Sequence, residues 1–595
     1  MKRVFALLAL GAFLLIASPA LAADCVLQFA ASPSADGSSV CVTGAGKVLL
    51  RLRGGADEQS AERARTVAEK LNQVAMAGAG PDDVAVKTSG KQAQIVIADR
   101  SIITIDAALA ASSKSSPAAL AQAWAQNLKA VFDRPYLTLA PFGELLVPVG
   151  ETRLLKWGGT LGKPEAGKIA DEAVATAQMV PQEKAFAVWA LQPGTTELVV
   201  TAPNCNHTVT LVCKKWAAQI PPSSQLQISG GTLRRDSLLQ ALESLVRNVT
   251  KVEPNAQLNC GEPVPLSGGY QLRVEAWGDG YLPLARLHRV ELQRIAPPEL
   301  TADVLLVSNF PEKVTEPAVL LREAMAEGRS SRLLWHHVNL ADYPLWMAVL
   351  LHNLEDAQVR VHFTGAQAGP TADEIFAGHV AATRFLSDLF FGTGYVLTIP
   401  ARTSIELSAV KLRPSELGSG LARLAPLDPA RLMVEVVCER RDTAGGLFSP
   451  VPKSLYNSPN TSGFEFSGER TVDLQHTVGG GWGFYSLGKG IDVSASGRQL
   501  PGSYGVLHRI NAVVDNPTDR PAVVELVTRP RGGVARGTFW IDGKLIETPV
   551  LTNASEQVIY RAVVDAKSQY KLQVATTPQS GSHYPMLLTL RSWPK

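Results

Sequence analysis

Long apolar runs are scarce in this 595-residue chain. Beyond the first two dozen residues no segment reaches about 18 apolar residues, which argues against membrane-spanning helices. One-sided charge is also missing. Lys and Arg number 57 against 54 Asp and Glu, a formal net charge of +3, and a nucleic-acid partner needs a basic face that this balance does not supply. No CxxC pair occurs among the six cysteines, so zinc-knuckle and thioredoxin-like readings have no footing. There is no G-x-S-x-G elbow, and no cysteine has a neighbouring histidine that sequence alone nominates as its base. Gly479-Gly480-Gly481 lacks the Lys-Ser/Thr of a phosphate-binding loop and reads as a turn or bulge. No cofactor is expected.

What is present is globular: 46% of residues are hydrophobic and only 19% charged, enough apolar material for several cores. Residues 1–22 read as a secretory signal peptide, with Lys2 and Arg3, an apolar run over 4–17, and Ala20 and Ala22 ahead of a cleavage point. The mature protein is therefore expected in the periplasm or at the cell surface, with no transmembrane segment. Cys25, Cys41, Cys205, Cys213, Cys260 and Cys438 then invite disulfides, at least two pairs in an oxidising compartment. Cys205 and Cys213 on one strand would lie about 26 Å apart, beyond the roughly 7 Å reach of a bond. Cys25 with Cys41 is the favoured local pair.

Periodicity divides the chain further. Residues 23–135 read as a small α/β domain in βαβββα order. Its first helix carries Ala64, Val67, Leu71 and Val74 on one face, with Asp57 as N-cap; its second carries Leu120, Trp124, Leu128 and Val131, with Ser116 as cap and Pro117 at its first position. Residues 136–219 read as an Ig-like β-sandwich, 220–300 as a small α+β domain, 301–445 as an all-β sandwich, 446–465 as a Gly/Pro/Ser/Asn-rich linker and 466–595 as a last β-sandwich. The expected fold class is mainly β: tandem Ig-like β-sandwich domains behind a small βαβββα domain, plus a small α+β element. Asn339, Asn353 and Asn516 each precede an Asp by three residues and predict Asx-turns closing hairpins.

Three stretches carry resemblances. LAQAWAQNLKAVF, with the element order around it, resembles a small exported domain found ahead of mechanosensitive-channel-like proteins. PVGET at 148–152, DEAVA at 171–175 and QPGTTELVV at 192–200 resemble the N-terminal Ig-like domain of pilus-assembly and secretin proteins, which implies an envelope-assembly role. SNFPEKV, RLLWHHVN, PGSYGVLHRI and RPRGGVARGTFW resemble a family of uncharacterised exported bacterial multidomain β-sandwich proteins, which implies no activity.

Candidate sites are few. His336 and His337 are adjacent, so on a strand one is expected inside and one in solvent, and no zinc site is expected from their spacing. His352 and His362 fall in the arms of one expected hairpin, not opposite each other. Asp373, Glu374, His379 and Arg384 could form an acid/base group, but the segment reads better as a polar loop entering a strand. Arg529, Arg531 and Arg536 beside Phe539 and Trp540 are the densest basic and aromatic cluster; Arg529, Arg531, Arg536 and Trp540 could present a stacking surface or one for an anionic ligand, or simply blunt a sheet edge. The function expected is non-catalytic binding or scaffolding in a bacterial envelope, with an envelope protein or glycan as partner. The alternative is a glycan-processing enzyme or carbohydrate-binding protein, which two carboxylates facing across a groove would favour.

Overall fold

A computed structural model of the chain describes residues 25–53, 58–203, 205–300, 303–442, 447–456 and 461–594. Residues 1–22, read as a leader, their expected cleavage point and the expected cap Asp57 lie outside the described residues. Contacts divide the chain into two units, residues 1–217 with 277–283, and residues 218–276 with 284–595. The mainly-β class expected from the sequence holds. Among the described residues no helix is long and apolar enough to cross a membrane.

In the first unit, two three-stranded sheets and the helices α1 (Glu58–Met76), α2 (Ala107–Ser112) and α3 (Pro117–Phe132) enclose one core. The faces of α1 and α3 are those the periodicity specifies: Ala64, Val67, Leu71 and Val74 are buried on one, Leu120, Trp124, Leu128 and Val131 on the other. Ser116 accepts from the Ala119 N–H with Pro117 behind it. Residues 137–214 form two four-stranded sheets packed around Leu155, Trp157, Phe186, Leu198 and Leu211.

The disulfide differs from expectation. Cys25 bonds Cys205, with Cα atoms 5.8 Å apart, and not Cys41. The reason is backbone pairing: the Leu27 N–H donates to the Leu137 carbonyl and the Leu137 N–H to that of Cys25, so residues 25–27 lie along the sandwich. Cys41 instead sits buried in the strand Ser39–Gly44. Cys205 and Cys213 share the strand Cys205–Lys214 and stay apart. The expected second pair is absent too, since Cys41, Cys213, Cys260 and Cys438 are all free.

The second unit overrides two expected boundaries. A sheet of twelve described strands runs from Gln257–Cys260 through Leu284–Ile295 and Ser223–Ser229 into Gly394–Ile399, Val359–Thr371, Leu417–Pro426, Ser331–Asn339, Val304–Ser308 and Glu465–Ser467. The joint is short, with Ile228 opposite Tyr395 and Ser229 opposite Gly394. Helix α4 (Arg235–Val249) packs beside it, with Leu242 fully buried. Within the stretch read as linker, Phe448–Pro450 pairs with Thr403–Leu412 and Glu465–Ser467 with Val304–Ser308. A second, five-stranded sheet faces the long one, and two further sheets make the C-terminal sandwich.

Residues 304–440 are not all β. The segment read as a loop is helix α5 (Glu374–Phe390). Asp373 caps it by accepting from the Phe376 N–H, and Ala377, Ala381, Phe385 and Leu389 make a buried stripe at helical spacing. Phe385, Leu386 and Leu389 share a core with Leu305, Leu334 and Leu421 on one side and Phe466, Val506 and Leu507 on the other, so the two C-terminal sandwiches do not close their cores independently.

The three repeated asparagines are buried, and each makes the expected Asx-turn: Asn339 Oδ1 accepts from Ala341 N, Asn353 from Glu355 N, Asn516 from Thr518 N, at 2.9, 2.9 and 3.1 Å. They turn the chain between facing sheets, not within hairpins, because the strands on either side of each belong to different sheets. Each Nδ2 then donates to a carbonyl four residues on and to another at a strand end, as Asn516 does to Arg520, Val564 and Asp565. An apolar residue at such a corner would strand those carbonyls away from water, at about 1–3 kcal/mol each.

Candidate functional site

His336 and His337 lie on the strand Ser331–Asn339, all of whose residues are buried. The expected division into one buried and one solvated histidine fails because α5 covers one face of the sheet and the facing sheet the other. His337 is satisfied: Nδ1 donates to the Pro311 carbonyl at 2.9 Å and Nε2 meets the Ser308 hydroxyl at 2.8 Å. His336 is only 2% exposed, yet neither ring nitrogen has a hydrogen-bond partner among the described residues. Its Nε2 stops 3.9 Å from Glu312 Oε1. Burial, with His337 beside it, pulls its pKa down to about 4, so the ring is neutral near pH 7.

His336 forms part of the wall of a cavity of about 160 Å³ shared with Asn309, Glu312, Glu374, Tyr504, Ser580, Gly581, Ser582 and His583. Besides the His336 strand, four separate stretches supply it. Asn309 and Glu312 follow the strand Val304–Ser308; Glu374 opens α5; Tyr504 precedes the strand Leu507–Asn516; residues 580–583 connect Ser568–Thr576 to Met586–Pro594. Close packing makes this meeting possible. A Cβ on Gly378 would lie 1.8 Å from the Ser580 carbonyl oxygen, so only glycine lets α5 approach the 580 loop. Tyr504 donates to the Ser582 carbonyl at 2.8 Å and meets Tyr584 edge-on, which fixes the loop from the other side. A shallower trough along Ala372, Asp373, Glu374, Ile375, Gly581 and His583 adjoins the cavity.

The electrostatics are acidic. Burial first, and Glu374 second, raise the Glu312 pKa above the usual carboxylate range, with Lys313 opposing. Burial and Glu312 together raise that of Tyr504. His583 Nδ1 lies 3.0 Å from the Val534 carbonyl and must donate to it, leaving Nε2 as an acceptor while the ring is neutral. The cavity thus combines two carboxylates, a neutral buried imidazole and a phenol oxygen.

Of the residues singled out in the sequence, His336 and Glu374 come together here, and Asp373 borders the trough while capping α5. His379, one helical turn along, is used elsewhere: Nε2 meets Glu547 at 2.7 Å and Nδ1 meets Gln579 at 3.0 Å, joining α5 to the C-terminal sandwich. Arg384 reaches Asp236 at 3.9 Å. His352 and His362 lie in different sheets, bonded to Ser404 and Ser229. In the basic cluster, Arg529 Nε donates to the Asn553 carbonyl and Arg536 Nε to that of Thr548; Arg531 is exposed, and Trp540 stacks on Phe390 of α5 at 5.0 Å. Glu312, Tyr504 and His583 went unnoticed in the sequence. They sit in loops with no spacing signal, although SNFPEKV and PGSYGVLHRI contain the first two.

A family profile for a domain of unknown function, DUF8459, matches residues 41–135. No curated protein matches the chain. The human desmocollin-1 ectodomain aligns at 11% identity over 31% of this chain and 45% of that one, with a TM-score of 0.12. Domains 5–6 of the S-layer protein SbsC align at 11% over 47% and 97%, TM-score 0.13, and the tandem Ig repeats of Dlar at 8% over 27% and 98%, TM-score 0.13. The chain spans less than half of the desmocollin ectodomain with which it aligns. None of these three is a pilus-assembly or secretin protein, and the fold assignment rests on the sheets themselves.

Proposed function

We propose that the chain is an exported, non-catalytic binding protein of the bacterial envelope whose ligand enters the cleft of Glu312, His336, Glu374, Tyr504 and His583. The observation that carries this reading is His336. A buried imidazole with no partner costs stability on the order of 1–3 kcal/mol, and a ligand that completes its bonding recovers that cost. Export is supported by the signal-like leader and the Cys25–Cys205 bond. The Ig-like sandwich of residues 137–214 suits a scaffolding role in pilus or secretion assembly as one form of the same reading. The test is binding of the full chain to fractionated envelope glycans and peptides, compared with E374Q, a change at an exposed carboxylate. Retention of a fraction by the native chain and its loss in E374Q supports the reading; equal retention by both rejects it.

A catalytic reading has one observation in its favour, the raised Glu312 carboxyl beside Glu374, the kind of pairing an acid/base glycosidase uses. Release of reducing ends from envelope polysaccharide by the native chain, abolished in E312Q, would put that reading first.

A further inference from the structure

We propose that this cleft is a receptor for a primary ammonium group on a short aminoalkyl ligand. The inference rests on the binding reading above and specifies its chemistry. The charged groups that line the cavity are all carboxylates, and its donors are neutral: the Asn309 amide, the Ser580 and Ser582 hydroxyls and one His336 N–H. Glu312 and Glu374 contribute carboxylates; Tyr504 has committed its O–H to the Ser582 carbonyl and keeps lone pairs for a donor; His583, with Nδ1 turned to Val534, presents Nε2. His336 is neutral, so of its two unpartnered ring nitrogens one can only accept, while the other carries an N–H. Among the described residues no Lys or Arg lines the cavity.

Two carboxylates sharing a small space repel each other, and a cation between them replaces that repulsion with attraction. A polyol supplies as many acceptors as donors and leaves the repulsion in place. An anion is excluded by the same charges, and the α5 N-terminus, where an anion would otherwise sit, is already capped by Asp373. An ammonium's three divergent donors can meet acceptors on several walls at once, whereas a planar guanidinium fork matches a single carboxylate. Among the described residues no group of three His, Cys, Asp or Glu has the arrangement of a metal site.

The experiment is isothermal titration calorimetry of the full chain at neutral pH with 5-amino-1-pentanol and with 1,5-pentanediol, which differ in little but the charge. The amine is expected to bind at least about tenfold more tightly, the effect of one charge-assisted hydrogen bond. E374Q and E312Q should each weaken the amine by about tenfold or more and leave the diol unchanged. E374Q alters an exposed side chain, so it remains informative if E312Q fails to fold. Equal binding of amine and diol, or amine binding that survives E374Q, overturns the ammonium assignment. The cleft as a binding site would still stand if envelope fractions bind in an E374Q-sensitive way, and it falls separately if they do not.

Discussion

Arg332 and Asp303 face each other across a 2.8 Å bond, Nη2 to Oδ2, with side chains 1% and 2% exposed. The other Asp303 oxygen accepts from Arg423 Nε at 2.9 Å, and Arg332 Nη1 donates to the Gly468 carbonyl at 2.7 Å. One carboxylate therefore holds two buried guanidiniums and ties the central sandwich to the start of the C-terminal one.

Asp303→Asn removes the charge and leaves both cations without their main counter-ion. Breaking a buried pair from one side costs about 3–5 kcal/mol, far more than a surface bridge returns. The variant should unfold at clearly lower guanidinium chloride concentration, with one transition for both sandwiches. A native-like midpoint would mean that Glu469, 3.7 Å from Arg332, suffices alone.

Gly420 lies opposite Trp335 in the sheet register, and a Cβ there would come within 2.0 Å of the indole. Trp335 lines a 260 Å³ cavity between the two sheets beside α4. Gly420→Ala must displace the ring, at about 1–3 kcal/mol of overpacking. Near-ultraviolet circular dichroism should change together with the denaturation midpoint; an unaltered spectrum would show that the indole does not rest there.

Acid should destabilise the second unit well above the carboxylate range. Burial lowers the pKa of His336, His337, His362 and His508 to about 4. In the unfolded chain they titrate near 6.5, so between about 6.5 and about 4 the unfolded state binds protons that the folded state refuses. Stability is full above about 6.5 and falls as pH drops through this window, by up to about 3 kcal/mol per histidine. Melting temperatures at pH 7.5, 6.0 and 5.0 should decline in that order, and a flat profile would contradict the buried neutral histidines.

Thiol titration of the denatured, unreduced protein should find four free groups, since only Cys25 and Cys205 are bonded. In the folded state Cys438, pushed up to about 12 by burial, and Cys260, pushed up to about 11, should react slowly. Closing a loop across 180 positions of sequence restricts the unfolded chain by roughly 5 kcal/mol. Cys25→Ser should accordingly melt the first unit earlier; an unchanged melting temperature would show the bond to be dispensable.

Local patterns were legible without the fold. The faces of α1 and α3, the Ser116 cap and the Asx-turns at Asn339, Asn353 and Asn516 depend on residues within a few positions of one another, and periodicity reports such neighbours directly. Helix α5 was legible in principle, in Asp373 and the stripe Ala377, Ala381, Phe385 and Leu389, but its polar opening hid it.

By itself the sequence determined the mainly-β class, the buried faces of α1 and α3 and the Asx-turns, because each follows from composition or from side chains near in the chain. Only the tertiary structure decided that Cys25 meets Cys205, that one sheet runs through residues 223–467, and that Glu312, His336, Glu374, Tyr504 and His583 share a cavity. Those meetings are set by which sheet each strand joins and how closely α5 can approach the 580 loop, and such long-range packing leaves no periodic trace in the residues that it brings together.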